Sequence, residues 1–165
     1  MNDHADHFDP APSREREFVD TLSIILEEAG FPPVTGRILG RLLVCEPRHQ
    51  SSVKLADYVR ASAGAVSTST RMLLTIGFIE KIRFPGDRAS YFRIKPDCWN
   101  EILHLEVLRY ARLRKVAELG VRLMQETGDP QRASRVREFH DFASFFEAEL
   151  PMLLERWDQR KESPS

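Results

Sequence analysis

The strongest constraint on the fold of this chain is a helix in mid-sequence whose two ends are both marked by local signals. Ser62 precedes the run Ala63–Ile76, in which apolar residues recur at helical spacing, and Gly77 follows it. A serine hydroxyl can accept from a free N–H of the first turn, and glycine readily takes the left-handed conformation that ends a helix. The residues predicted to point inward are Val66, Thr70 and Leu73. The sequence therefore predicts a helix over Ala63–Ile76 with a small, hydroxyl-rich outer face.

Shorter elements are predicted on both sides of this helix. A helix over Val53–Arg60 precedes it, capped by Ser52 and joined to it by a tight turn. The β-rich runs Phe78–Phe84 and Ser90–Ile94 follow it, and the segment PGDR between them is typical of a hairpin turn. The order helix, turn, helix, hairpin predicts a mainly α chain with a small β-hairpin, which is an α+β fold.

The two faces of the predicted hairpin differ in chemistry. Side chains alternate between the faces of a strand, so residues of one parity share a face. The parity predicted to face the core comprises Ile82, Phe84, Phe92 and Ile94. The parity predicted to face outward comprises Lys81, Arg83, Tyr91 and Arg93.

Helices are also predicted before and after this central unit. The first, Arg14–Ala29, follows Ser13 and stops at Gly30, and a second begins at the proline pair Pro32 and Pro33. The apolar stripe of the first is Phe18, Leu22, Ile25 and Leu26. In the second, Gly36 and Gly40 permit close packing, Ile38, Leu39, Leu42 and Leu43 form the stripe, and Pro47 marks the end.

Two long helices are predicted after Pro96, over about 99–126 and 131–160, with Gly128, Asp129 and Pro130 as the break. Pro151 lies inside the second and is predicted to bend or interrupt it. Their apolar stripes exceed what a small core can cover, which predicts a homodimer. The predicted organisation is a mobile leader at 1–12, an N-terminal helix assigned to the dimer interface at 13–30, a domain with the helix-turn-helix and hairpin at 31–96, a helical dimerisation region at 97–160 and a tail at 161–165.

The charge of the chain is unevenly distributed. The whole sequence carries a net charge of -1, but the region from Arg48 to Lys95 has nine basic and three acidic residues, a net +6. A cationic surface in an acidic frame can hold nucleic-acid phosphates while limiting indiscriminate binding. We therefore predict duplex DNA as the partner of this region.

The predicted DNA contacts lie on the outer face of the Ala63–Ile76 helix and on the hairpin. Small and hydroxyl side chains allow close approach to DNA, and an arginine can clamp a phosphate or read guanine. An arginine at a hairpin tip can enter a narrow minor groove, and Asp87 is expected to orient it. The predicted DNA-binding residues are Ser62, Gly64, Ser67, Thr68, Arg71, Lys81, Arg83, Asp87 and Arg88.

Three segments carry a resemblance to a known family. The run SAGAVSTSTRMLLTIGFIE from Ser62, the run PGDRASYF from Pro85 and the run GRILGRLL from Gly36 together resemble the MarR superfamily, and within it the GbsR-type regulators. The resemblance implies a winged helix-turn-helix transcriptional regulator, acting as a repressor on a pseudo-palindromic operator. It also implies a homodimer joined by long terminal helices. By the same resemblance, the wing tip carries Asp87 and Arg88, and the recognition helix carries Ser62, Gly64, Ser67, Thr68 and Arg71.

Other functions leave weaker signals. No phosphate loop, nucleophile with a base or metal-ligand pair predicts an enzyme, and we predict no catalytic residue, cofactor or metal site. A winged-helix protein-interaction module without DNA readout is the main alternative. GbsR-type relatives are associated with choline sensing, and an aromatic pocket of Phe139, Phe142, Phe146 and Trp157, with Phe145 beside it, could bind such a cation by cation-π attraction.

Two further predictions concern redox state and location. Cys45 and Cys98 are 53 positions apart without a metal-binding pattern, so we expect reduced thiols and no redox switch. The N-terminus lacks a basic stretch followed by an apolar run, and no long uncharged apolar window occurs. These features predict a cytoplasmic protein with no membrane contact.

Overall fold

The computed structural model describes residues 13–127 and 129–162. The predicted leader with His4 and His7, the break residue Gly128, and residues 163–165 of the predicted tail lie outside the described residues. The chain divides into two compact units, one up to Pro96 and one from Asp97 onward.

The first unit begins with two helices packed against each other, α1 at Ser13–Glu28 and α2 at Pro33–Val44. Glycines on α2 make this packing close, as predicted. A Cβ atom on Gly36 would lie 2.7 Å from the Ser23 Cα, and one on Gly40 would lie 3.1 Å from the Val19 Cα. The stripe predicted for α1 is only partly right, because Val19 and Ser23 are the residues buried there. Phe18 and Ile25 are exposed within the described chain.

A three-stranded sheet and two short helices complete the first unit. Strand β1 (Gln50–Ser51), helix α3 (Ser52–Val59), helix α4 (Ala63–Ile76), strand β2 (Ile79–Ile82) and strand β3 (Tyr91–Ile94) follow in chain order. The sheet is antiparallel in the order β1-β3-β2. The core between α2, α3, α4 and the sheet is formed by Ile38, Leu39, Leu42, Leu55, Val59, Val66, Leu73, Ile79 and Phe92.

Two local predictions in this region are wrong. The N-cap of α3 is Ser51, whose hydroxyl accepts from the Lys54 N–H, and Ser52 is already helical. Ser51 is available as a cap because it ends β1, a two-residue strand that pairs with β3 and has too short a pattern to be predicted. The signals at the ends of α4 are confirmed, since Ser62 caps it and Gly77 adopts φ +92°.

The predicted face of β2 is also wrong, whereas that of β3 is confirmed. Ile79 is buried and pairs with Ile94, so the odd-numbered positions of β2 share the core-facing side of Phe92. Lys81 pairs with Phe92 on that side, and Ile82 pairs with Tyr91 on the other. Which residues of β2 face the core is decided where the chain leaves α4. There the Phe78 N–H donates to the Leu73 carbonyl, and Ile79 enters the core directly afterwards. Phe84 lies beyond the end of β2 and is exposed.

The second unit is a pair of long helices, α5 (Cys98–Thr127) and α6 (Pro130–Glu162). Their contacts run from the Asp97–Lys161 ion pair at one end to the close approach of Gly120 and Val136 at the other. Between these, Arg114 pairs with Glu147. These contacts are those of an antiparallel hairpin. Pro151 lies inside α6 without interrupting it, so the predicted interruption does not occur.

No helix within residues 13–127 and 129–162 combines the length and the apolar character that a membrane span requires.

Candidate DNA-binding surface

The outer face of α4 is exposed along its full length. Gly64, Ser67, Thr68 and Arg71 all have exposed side chains or Cα positions, and Thr75 continues the same stripe one turn later. This spacing of three to four residues places them on one side of the helix. The Thr75 hydroxyl donates to the Arg71 carbonyl at 2.9 Å, so it is already engaged within the helix. The face carries hydroxyl groups and one guanidinium group.

The inner face of α4 holds that outer face in place. Val66, Thr70 and Leu73 are buried as predicted, and Ser69 is buried with them. Thr35 of α2 donates a hydrogen bond of 3.0 Å to the Ser69 hydroxyl, and the Thr70 hydroxyl donates to the Val66 carbonyl at 2.8 Å. Buried hydroxyls that are all satisfied can fix the rotation of a helix about its axis. The direction of the exposed stripe is therefore set by α2 and the core.

A groove of about 440 Å³ lies beside this face, between α3, α4 and the sheet. Its lining includes Ser67 of α4, Lys81 of β2 and Ser90, with Phe92 at its base. The groove places Lys81, one of the predicted DNA-binding residues, beside Ser67 of α4, although on the opposite face of β2 from the one predicted. Val53, at the start of α3, also lines it and is 68 % exposed. A cation, hydroxyls and an exposed apolar group together suit phosphate and base contacts.

The tip of the wing, the segment Phe84–Ser90 between β2 and β3, is shaped by one carboxylate. Asp87 accepts a hydrogen bond of 2.7 Å from the Ala89 N–H and another of 2.7 Å from the Tyr91 hydroxyl. The Ala89 bond, and then the Tyr91 bond, hold the pKa of Asp87 below its ordinary value, and the Asp87 bond raises the pKa of Tyr91. Gly86 adopts φ +81°, as expected of a sharp turn.

This geometry corrects the role predicted for Asp87. Its two oxygens accept from the Ala89 N–H and the Tyr91 hydroxyl, and among the described residues no ion pair joins it to the Arg88 side chain. It fixes the backbone on either side of Arg88 instead. Arg88 and Arg83 are both exposed on the wing.

The base of the wing is an aromatic cluster. The His49 ring lies 4.9 Å from the Phe84 ring and 5.4 Å from the Tyr91 ring, measured between centroids, and Phe84 and Tyr91 are 5.1 Å apart. His49 precedes β1, so this cluster connects the wing to the strand that leads into α3. Beside this cluster, Arg93 forms an ion pair of 2.5 Å with Glu80. The Glu80 carboxylate therefore neutralises one of the positive charges of this region.

The residues predicted to line an aromatic ligand pocket are not brought together as a set. Phe142 and Phe146 pack on Tyr110 of α5, with centroid distances of 6.0 and 4.7 Å. Phe139 and Trp157 are 18 positions apart on α6, which separates them by about 27 Å along the helix. These two residues therefore cannot share one small pocket within a protomer.

The thiols of Cys45 and Cys98 are both buried. Burial raises the pKa of each thiol, mainly by desolvating the thiolate. A raised pKa lowers the fraction of reactive thiolate at neutral pH.

Known proteins share both the sequence and the fold of this chain. Residues 97–160 match the family model of MmpR5-like MarR family transcriptional regulators. The HTH-type transcriptional regulator MmpR5 of Mycobacterium tuberculosis is 36 % identical over 160 residues, which cover 97 % of this chain and 96 % of that protein. A crystal structure of a transcriptional regulator matches with a TM-score of 0.77 and 37 % identity, covering 89 % of this chain and 99 % of that one. The adhesin competence repressor of Streptococcus pyogenes, at 19 % identity and a TM-score of 0.35 over 84 % of this chain and 98 % of that one, is too distant to bear on the fold.

Proposed function

Because the chain belongs to the MmpR5-like MarR family of transcriptional regulators, we propose that it binds duplex DNA in a sequence-dependent way, with α4 as its recognition helix. The observation that carries this proposal is the exposed stripe of Gly64, Ser67, Thr68 and Arg71 on a helix whose opposite face is locked into the core. Helix-turn-helix proteins place such a face in the major groove.

The wing supplies the second part of the proposed surface. Lys81 lines the groove beside Ser67, while Arg83 and Arg88 are exposed toward the tip. Arginine and lysine side chains there can contact phosphates, and an arginine at the tip can enter the minor groove. These contacts add affinity, whereas the α4 face supplies most of the sequence preference.

A homodimeric repressor is the assembly that we propose. The described part of the hairpin unit exposes large apolar residues on both helices: Leu105, Leu108, Val116, Leu119 and Leu123 on α5, and Phe139, Phe142, Phe145, Met152 and Leu153 on α6. Phe18 and Ile25 add an exposed apolar face on α1. A second copy could cover these surfaces and present two recognition helices to a pseudo-palindromic operator.

Finer assignments stay predictions. The GbsR-type resemblance is not needed for this proposal, because the matching family model is that of the MmpR5-like regulators. A small-molecule effector and a cytoplasmic location are likewise proposals. The domain limits predicted from the sequence, with a DNA-binding domain at 31–96, are also proposals.

Capture of fragmented genomic DNA by the purified full-length protein, followed by sequencing, tests the proposal. The control is the triple variant Ser67→Ala, Thr68→Ala, Arg71→Ala, which changes exposed side chains only. We expect enriched fragments to share an inverted repeat with half-sites about one helical turn apart, and the variant to lose this enrichment. Equal recovery of all sequences by both proteins, or no salt-dependent duplex binding at all, would favour the interaction-module alternative.

A further inference from the structure

A second cleft, of about 250 Å³, lies between α1, α2 and the C-terminal end of α3, away from the DNA-facing groove. Three arginines from these three elements line it: Arg16, Arg37 and Arg60. Tyr58 lines it as well. Its volume is below the roughly 300 Å³ at which pockets for drug-sized molecules begin, so it suits a small ligand.

The cleft has a positive balance of charge. Among the described residues that line it, Asp20 is the one carboxylate, and it pairs with Arg37 at 3.3 Å. Arg41, adjacent to the cleft, is paired with Glu15. Even without Arg60, Arg16 and Arg37 against the Asp20 carboxylate leave the lining with a net positive charge, which favours an anion.

The hydroxyl of Tyr58 gives a second, independent indication. Its oxygen is buried and has no hydrogen-bond partner within the described residues. The ring is held between Arg16, 5.0 Å from the ring centroid, and Arg41, 4.5 Å from it. A tyrosine hydroxyl is protonated at neutral pH and can donate, and burial raises the pKa of Tyr58 further. A buried donor without an acceptor is costly, and a bound anion would supply the acceptor.

We propose that this cleft binds a small tetrahedral oxyanion of the phosphate class, held by Arg16, Arg37 and Arg60 and by a hydrogen bond from Tyr58. Guanidinium groups bind phosphate oxygens through paired N–H donors, and four oxygens can use more of these donors than the two of a carboxylate. Arg60 also ends α3 with φ +52°, two residues before the Ser62 cap of α4. The anion would therefore connect α1 and α2 to the turn of the helix-turn-helix.

Calorimetric titration of the full-length protein with inorganic phosphate, in Tris chloride at constant ionic strength, tests the site. Arg16→Gln and Arg14→Gln form a matched pair, because the two residues lie about 200° apart around α1 and Arg14 faces the side of Phe18 and Ile25. We expect saturable binding that Arg16→Gln weakens by at least tenfold and Arg14→Gln leaves unchanged. Tyr58→Phe should weaken it by about tenfold without lowering the melting temperature in phosphate-free buffer.

Two results would overturn the proposal. Absence of saturable phosphate binding by the unmodified protein is one, and equal weakening by Arg14→Gln and Arg16→Gln is the other, since it would indicate general charge screening. If phosphate does not bind and Arg16→Gln also loses duplex DNA affinity in phosphate-free buffer, these arginines would be assigned to the DNA backbone.

Discussion

Tyr91 on β3 donates a hydrogen bond of 2.7 Å to the carboxylate of Asp87, across the turn that carries Arg88. The same carboxylate accepts from the Ala89 N–H, so one acidic side chain closes the wing tip from within. Both side chains are at the surface, and the contact contributes more to the shape of the tip than to the stability of the chain.

Tyr91→Phe should weaken duplex DNA binding by several-fold and leave the melting temperature nearly unchanged. The variant keeps the ring contacts with His49 and Phe84 but frees the tip. Tyr110→Phe, on α5, is the control and should bind DNA like the unmodified protein. Titration with a labelled duplex measures both. A drop in melting temperature with unchanged affinity would show that the bond serves the core instead.

The pH dependence of this contact follows from its two pKa shifts. The pKa of Asp87 is lowered, so its contribution is present above the ordinary value of 3.8 and is lost as the pH falls through the folded-state pKa. The pKa of Tyr91 is raised, so its contribution is present below the ordinary value of 10.0 and is lost as the pH rises through the folded-state pKa. The ratio of affinities between unmodified protein and Tyr91→Phe should therefore be constant between these two values.

Gly36→Ala should destabilise the first unit by about 1–3 kcal/mol, because the new methyl group would lie 2.7 Å from the Ser23 backbone and force α1 away from α2. Gly64→Ala is the matched control on α4, where the nearest atom, the Ser62 hydroxyl oxygen, is 3.9 Å away. It should be neutral or stabilise by about 0.5–1 kcal/mol through helix propensity. Chemical denaturation measures both, and equal effects would mean that α1 adjusts without cost.

The elements that could be predicted from sequence are those whose ends carry local signals. Helix α4 has a serine cap, an inward stripe and a terminal glycine, and the structure confirms all three. The face of β2 could not be predicted in this way, because a four-residue strand places only two residues on each face. Which of its residues face the core depends on how the chain continues after Gly77. Phe84, which was predicted to face the core together with Ile82, lies beyond the end of the strand.

In the candidate site, too, some features follow from local sequence patterns and others appear only in the folded structure. The exposed stripe on α4 follows from its periodicity, so Ser67, Thr68 and Arg71 could be selected from sequence. The Thr35–Ser69 bond and the Asp87–Tyr91 bond join residues whose pairing no local pattern indicates. The cleft of Arg16, Arg37 and Arg60 is assembled from three helices and likewise requires the fold.

The full-length protein is expected to be a homodimer at micromolar concentration. The reason is the exposed apolar surface of α5 and α6, which is more than an isolated helical hairpin keeps in water. Light scattering after size-exclusion chromatography gives the mass, to be compared with 19.0 kDa for one chain. A mass of one chain under these conditions would contradict the dimer and the two-half-site operator together.

Arg88→Ala should weaken operator binding and reduce the slope of log affinity against log salt by about one. Arg88 is exposed at the wing tip, so the melting temperature should change little. Arg135→Ala, an exposed arginine on α6, removes the same charge far along the sequence from the wing and serves as the control. An unchanged salt slope in Arg88→Ala, or the same reduction in both variants, would remove Arg88 from the DNA contact.

The last prediction separates the roles of three residues on α4. Arg71 lies nine positions, or about 13 Å along the axis, beyond the Ser62 cap, whereas Ser67 and Thr68 are about one turn nearer to the helix start. Side chains near the start of a recognition helix are those that reach base edges. We therefore expect Arg71→Ala to weaken binding almost equally on all sequences, as loss of a phosphate contact does, and Ser67→Ala and Thr68→Ala to change the preferred bases.

A library of half-site variants, with affinity measured for each protein, distinguishes these outcomes. Thr75→Ala is the control, because its hydroxyl already donates to the Arg71 carbonyl at 2.9 Å and lies near the helix end. If Arg71 instead pairs with a guanine, Arg71→Ala should cost about 1–3 kcal/mol at the cognate site and relax preference at one position in each half-site. Unchanged affinity and preference in Ser67→Ala, Thr68→Ala and Arg71→Ala would refute α4 as the helix that reads DNA, because apart from the Ser62 cap these are the polar side chains exposed near the start of its outer face.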